Sequence, residues 1–100
     1  MAGCGDGLPD KGTVVGTVVD GTGGPLRRCT VTRTVQGTTP YPFTEEAATT
    51  DAAGTFDWDM YPGAYLITAV CASGRRELRG ISTTVDVSSG VDVAVKITAR

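Results

Sequence analysis

Hydrophobic and polar positions alternate with period two along most of this chain, and no segment shows the three-to-four spacing of a helix. Between Thr13 and Asp20, Val14, Gly16 and Val18 take one face and Val15, Thr17 and Val19 the other. A strand this apolar on both faces is either covered on its outer side or open to a partner. Thr55–Asp59 alternates more sharply, with Phe56 and Trp58 on one side and Asp57 and Asp59 on the other. That is a half-buried strand held between two turns. Asp51-Ala-Ala-Gly54 suits an Asp-initiated bend closed by a glycine at positive φ, and Pro62-Gly63 ends the strand.

The same pattern predicts further strands at Leu26–Val35, Glu45–Thr50, Tyr65–Ala72, Ile81–Val87 and Val91–Thr98. In the second, Cys29, Val31 and Arg33 share a face; in the fifth, Tyr65, Ile67, Ala69 and Cys71 do; in the last, Val91, Val93, Val95 and Ile97 face inward. Asp20–Pro25 reads as a loop, Ser73–Gly80 as a basic turn and Ser88–Gly90 as a tight turn. Seven strands at this spacing predict a single antiparallel β-sandwich of Ig-like or prealbumin-like Greek-key form over residues 13–100. Residues 1–12 are rich in glycine and read as a flexible arm.

Composition narrows the function. A chain of 100 residues with 40% hydrophobic and 20% charged positions is one globular domain with a small core. Net charge −2 argues against a nucleic-acid partner. No apolar run approaches the ~20 residues of a membrane-spanning helix, and no signal peptide is read ahead of the domain. There is no histidine, hence no ordinary general base near neutral pH, and no asparagine. The residues therefore predict a protein that is not an enzyme and needs no cofactor or metal.

Several short motifs occur in order: Gly12-x-Val14-x-Gly16-x-Val18-x-Asp20, then Gly24-Pro25-Leu26, Val31, Thr50-Asp51-x-x-Gly54-x-Phe56 and Pro62-Gly63-x-Tyr65. Together they resemble the carboxypeptidase regulatory-like domain, the prealbumin-like sandwich that also underlies collagen-adhesin B-type repeats. The resemblance spans roughly residues 12–98 and implies a spacer, stalk or accessory module whose motif residues are turn and core positions. It also implies that the second and fifth strands are neighbours in one sheet. A Cys29–Cys71 disulfide is then possible, the alternative being two buried free thiols. The chain departs from the adhesin repeats, many of which carry a Lys-to-Asn isopeptide bond: its first strand has no lysine and the chain has no asparagine.

The remaining candidates are contact residues. Tyr41 and Phe43, each preceded by a proline in the irregular stretch Gln36–Thr44, are stiffly held; with Tyr61 they are candidates for binding, or else cap the sandwich end. Val15, Thr17 and Val19 form a candidate outward contact row. In the acidic group Glu45, Glu46, Asp51, Asp57 and Asp59, the three aspartates offer some of the oxygens a calcium site needs, but the group reads better as a solvated strand face with an Asp-initiated turn. Arg27, Arg28, Arg75, Arg76 and Arg79 either meet an acidic partner or pair with carboxylates. Ala2-Gly3-Cys4 matches the end of a bacterial lipoprotein cleavage box, although Met1 stands directly before it. Either a signal was trimmed and Cys4 carries lipid, or the match is chance. The expectation is a structural or interaction module in a larger surface or virion assembly, partnered by other proteins of that assembly, self-association included. The alternative is a secreted or lipid-anchored carbohydrate-binding module.

Overall fold

The computed structural model describes residues 9–37, 41 and 46–100, and these form an all-β sandwich of two sheets. Its strands are β1 (Gly12–Val19), β2 (Thr30–Val35), β3 (Ala48–Thr49), β4 (Thr55–Met60), β5 (Gly63–Ser73), β6 (Arg76–Ile81), β7 (Val85–Val87) and β8 (Asp92–Thr98). The first sheet has the order β4-β1-β8. The second runs β3-β2-β5-β6, with β7 continuing the β6 edge along the start of β5.

The alternation read from the sequence places the core. Val14 and Val18 of β1, Phe56, Trp58 and Met60 of β4, and Ile97 of β8 point between the sheets. From the second sheet they meet Val31, Tyr65, Ile67, Ala69 and Cys71. Gly16 is needed where it stands. It lies opposite Phe56 in the ladder, and a Cβ there would come within 2.0 Å of the Phe56 ring. The glycine makes the space that the aromatic ring fills.

Four expectations are corrected. There are eight strands among the described residues, not seven, because Arg76–Ile81 is a strand and not part of a turn. Only Gly74 and Arg75 make the turn, with Gly74 at φ 63°, and Leu78 is the buried residue that anchors the new strand. The sandwich is not wholly antiparallel, since β1 and β8 run parallel in register Thr13↔Asp92 to Val19↔Thr98. Val19 is buried instead of completing an outward row. It pairs with Pro25, and its carbonyl accepts the Ala99 N–H at 2.8 Å, so returning chain flanks it on both edges. Val91 lies before β8 and is 52% exposed, not inward.

The end of the sandwich near Val19 is closed by specific bonds. Cys29 and Cys71, one step beyond the Thr30↔Val70 pair, form a disulfide with Cα atoms 4.3 Å apart. The Thr50 hydroxyl is buried, donating to the Leu26 carbonyl at 2.8 Å and accepting from the Cys29 N–H at 2.9 Å. The Asp51 turn forms as its chemistry predicts. Its carboxylate accepts from the N–H groups of Ala53 and Thr55 and from the Thr55 hydroxyl, at 3.0, 2.9 and 2.7 Å. Gly54 takes φ 74° and its carbonyl accepts the Val18 N–H. Asp20 repeats the device, accepting from both N–H and hydroxyl of Thr22 and from the Gly24 N–H.

Candidate contact surface

The ladder on either side of β1 decides which side chains share the outer face of the first sheet. Successive rows are Asp59–Thr13–Asp92, Asp57–Val15–Ala94 and Thr55–Thr17–Lys96. This face sets Val15, Ala94 and three threonines among Asp57, Asp59, Asp92 and Lys96. Val15 sits at its centre, 39% exposed, and the Thr13 hydroxyl donates to Asp59 at 2.8 Å. Thr17 is half-buried beside it. The row thus retains Val15 and Thr17 while Val19 falls out of it.

One step further along the same ladder stand Lys11 and Tyr61. The Lys11 ammonium lies 4.8 Å from the centre of the Tyr61 ring, and the Tyr41 ring packs against Tyr61 at 5.5 Å with a 34° tilt. Two of the three aromatics singled out from the sequence therefore meet, at the end of the sandwich opposite the disulfide. Phe43 lies outside the described residues, as do Cys4 and Glu45. Tyr61 is held from behind, for the Tyr65 hydroxyl donates to the Tyr61 carbonyl at 2.7 Å. Burial raises the Tyr65 pKa, so the hydroxyl keeps its proton and this bond through the neutral range. Period-two reading could not find this meeting, because Tyr41 belongs to no strand and Tyr61 follows the last residue of one.

Trp58 is a core residue, as its period with Phe56 predicts. It carries the Arg33 guanidinium 4.6 Å over its ring, and Arg33 also reaches Glu46 at 3.4 Å. The other candidate clusters disperse. Asp51 is used by its turn and Asp59 by Thr13, and among the described residues no group of three acidic or sulfur side chains is placed to hold a metal ion. Arg79 pairs with Glu77 at 2.7 Å on the β5–β6 hairpin. Arg27 and Arg28 precede β2, so the two sets of arginines are separated by β5. Arg28 is the one described non-glycine residue at positive φ, 59°, and its N–H donates to the Thr50 carbonyl.

The same fold occurs in larger proteins. The chain superposes on part of the TIE protein of Bacillus anthracis with TM-score 0.68 and 12% identity, over 90% of this chain and 16% of that one. It also superposes on a DUF3823 family protein from Parabacteroides merdae, with TM-score 0.56 and 16% identity, over 91% of this chain and 47% of the other. This chain thus spans less than half the length of either structure. At such identities the likeness is one of fold. No family profile matches the sequence. No curated protein matches it either. Among the described residues no helix is long and apolar enough to cross a membrane.

Proposed function

We propose that this domain is a non-catalytic contact module, an accessory or structural part of a larger protein assembly at a cell surface or in a virion. The observation that carries the reading is the outer face of the first sheet. It presents exposed Val15 between Ala94 and Asp57, and continues into the Tyr41–Tyr61 pair with Lys11 alongside. An apolar centre with aromatics at its margin suits protein contact, because little side-chain freedom is lost on docking aromatic rings. The Cys29–Cys71 disulfide supports a place outside a reducing cytosol. The order of turn and core motifs supports kinship with carboxypeptidase regulatory-like modules, whose role is mechanical or accessory. The roles of those motif residues agree: Gly16 makes room for Phe56, and Asp51 and Gly54 build a turn.

The tilted Tyr41–Tyr61 pair also favours a second reading, in which the rings stack on a sugar and the domain binds carbohydrate. The two are separated by variants of the intact protein, assayed in the native assembly and on immobilised glycans. Under the first reading Val15→Asp releases the protein from its assembly while leaving its fold intact. Loss of glycan binding in Tyr41→Ala, with Val15→Asp indistinguishable from wild type, would transfer the assignment to the second.

A further inference from the structure

β8 is an edge strand of the first sheet. In the parallel β1–β8 ladder the Thr13 N–H donates to the Val91 carbonyl and the Ala99 N–H to the Val19 carbonyl. Odd-numbered residues of β8 therefore aim their backbone groups at β1, and Asp92, Ala94 and Lys96 aim theirs away. Arg100 continues that outward set and exchanges two bonds with Arg79 of β6, at 3.0 and 3.2 Å. Over Asp92–Lys96 nothing among the described residues takes them. The edge is also accessible. An open groove of about 380 Å³ lies between Val93–Lys96 and Thr83–Asp86.

We infer that β8 pairs antiparallel with β8 of a second copy, about a two-fold axis at Ala94. The charges select both partner and register. With Ala94 opposite Ala94, Asp92 of each copy faces Lys96 of the other and Val93 faces Val95. Shifting the axis to Val93 or Val95 sets neither charge against its opposite, and placing it at Lys96 sets like charges together. The parity is right as well. Asp92, Ala94 and Lys96 are the residues with outward N–H and C=O groups, so each pair exchanges two hydrogen bonds across the axis. The product is one six-stranded sheet of order β4-β1-β8-β8-β1-β4. Its outer face carries a continuous row Asp57–Val15–Ala94 running into Ala94–Val15–Asp57 of the second copy. An unprotected strand edge is normally a liability, blunted by lysine. Here the lysine sits two residues from Ala94 on one side and an aspartate two residues away on the other, which is the spacing that makes the edge self-complementary.

This pairing rests on the contact-module reading and specifies its partner. The test is sedimentation of the full chain from micromolar to millimolar concentration, with four variants at three exposed residues. Wild type forms a dimer. Lys96→Asp and Asp92→Lys each raise the half-association concentration by about tenfold or more, since each sets like charges opposite one another twice. The double swap D92K/K96D restores association, which no effect on folding alone would produce. Ala94→Pro, which removes an outward N–H and no ladder bond, abolishes it. A monomer throughout the range overturns the pairing, and so does a dimer indifferent to both single charge reversals. Either result leaves the contact-module reading to be judged on Val15→Asp in the native assembly.

Discussion

The two ends of this sandwich are held by different means. At the end reached by Val19, a disulfide and a buried threonine hydroxyl tie the second sheet and its entering loop, while two Asp-pinned turns and the Arg79–Arg100 bonds link the two sheets. Among the described residues of the other end, the Gly90 N–H to Lys11, Gln36 N–H to Ala64, Thr13 N–H to Val91 and Val91 N–H to Ser88 bonds are backbone links, and the side-chain contacts include two rings and a lysine. The closed end uses residues of narrow purpose: glycine, aspartate, threonine and cysteine. The open end displays Tyr41, Tyr61 and Lys11, which satisfy no core requirement. A domain that secures its fold at one end is free to vary the other without unfolding, and contact chemistry is expected at the end where the described residues show fewer such bonds.

The comparison breaks most sharply at glycine. Gly54 at the closed end and Gly90 at the open end have nearly the same conformation, φ 74° and 70°. A Cβ at Gly54 would stand 2.7 Å from the Val18 carbonyl and 3.0 Å from the Leu26 nitrogen, whereas one at Gly90 meets nothing within 4 Å. Gly54→Ala is therefore expected to cost about 4 kcal/mol and Gly90→Ala about 1 kcal/mol, the latter being the penalty of positive φ alone. Denaturant midpoints at constant slope measure both. Equal losses would mean that the packing difference between the ends carries no energy.

Reduction is the next largest perturbation. The Cys29–Cys71 bond closes a separation of 42 residues, for which the loop-entropy relation gives about 3–4 kcal/mol. Adding a thiol reductant should lower the unfolding free energy by about that amount. Hydrogen exchange should speed first at Cys29, Thr50 and Val70, before Tyr61 or Ala64. Uniform acceleration across both ends would show that the bond acts on the unfolded chain alone.

How much of this was legible follows the same division. The closed end is written in local chemistry. Asp51 with Gly54 three residues on, Phe56 and Trp58 at period two, and the inward parity of Cys29 and Cys71 all lie in short windows. What escaped detection depends on distant partners. Arg76–Ile81 holds four charged or glycine positions around Leu78, and becomes a strand because Thr68–Ser73 offers it an unpaired edge. The parallel approach of β8 to β1 leaves no mark on either sequence, since alternation fixes faces and not directions. Val19 obeys its alternation and is buried anyway, by Pro25 and Ala99 arriving from loops. The meeting of Tyr41 with Tyr61 joins a loop residue to a post-strand residue, where no periodicity applies.

The smallest expected effect is one of pH, and it sharpens the account of the closed end. The Asp20 carboxyl lies below the ordinary aspartate range, chiefly because the Thr22 hydroxyl donates to it and then because the Gly24 and Thr22 N–H groups do. Asp51 is lowered in the same direction, first by the Thr55 N–H and next by the Thr55 hydroxyl. A carboxyl whose pKa falls on folding stabilises the fold fully above its unfolded value, ordinarily 3.8, and that contribution is lost as pH drops through the lower folded value. Stability should therefore be flat from neutral pH to about pH 5 and decline below it. Asp51→Asn should flatten the decline in part, because the amide oxygen still accepts from Ala53 and Thr55 but does not titrate. Asp20→Asn should do the same independently, the two turns sharing no hydrogen bond. Acid sensitivity unchanged in the double variant would show that neither turn is its source.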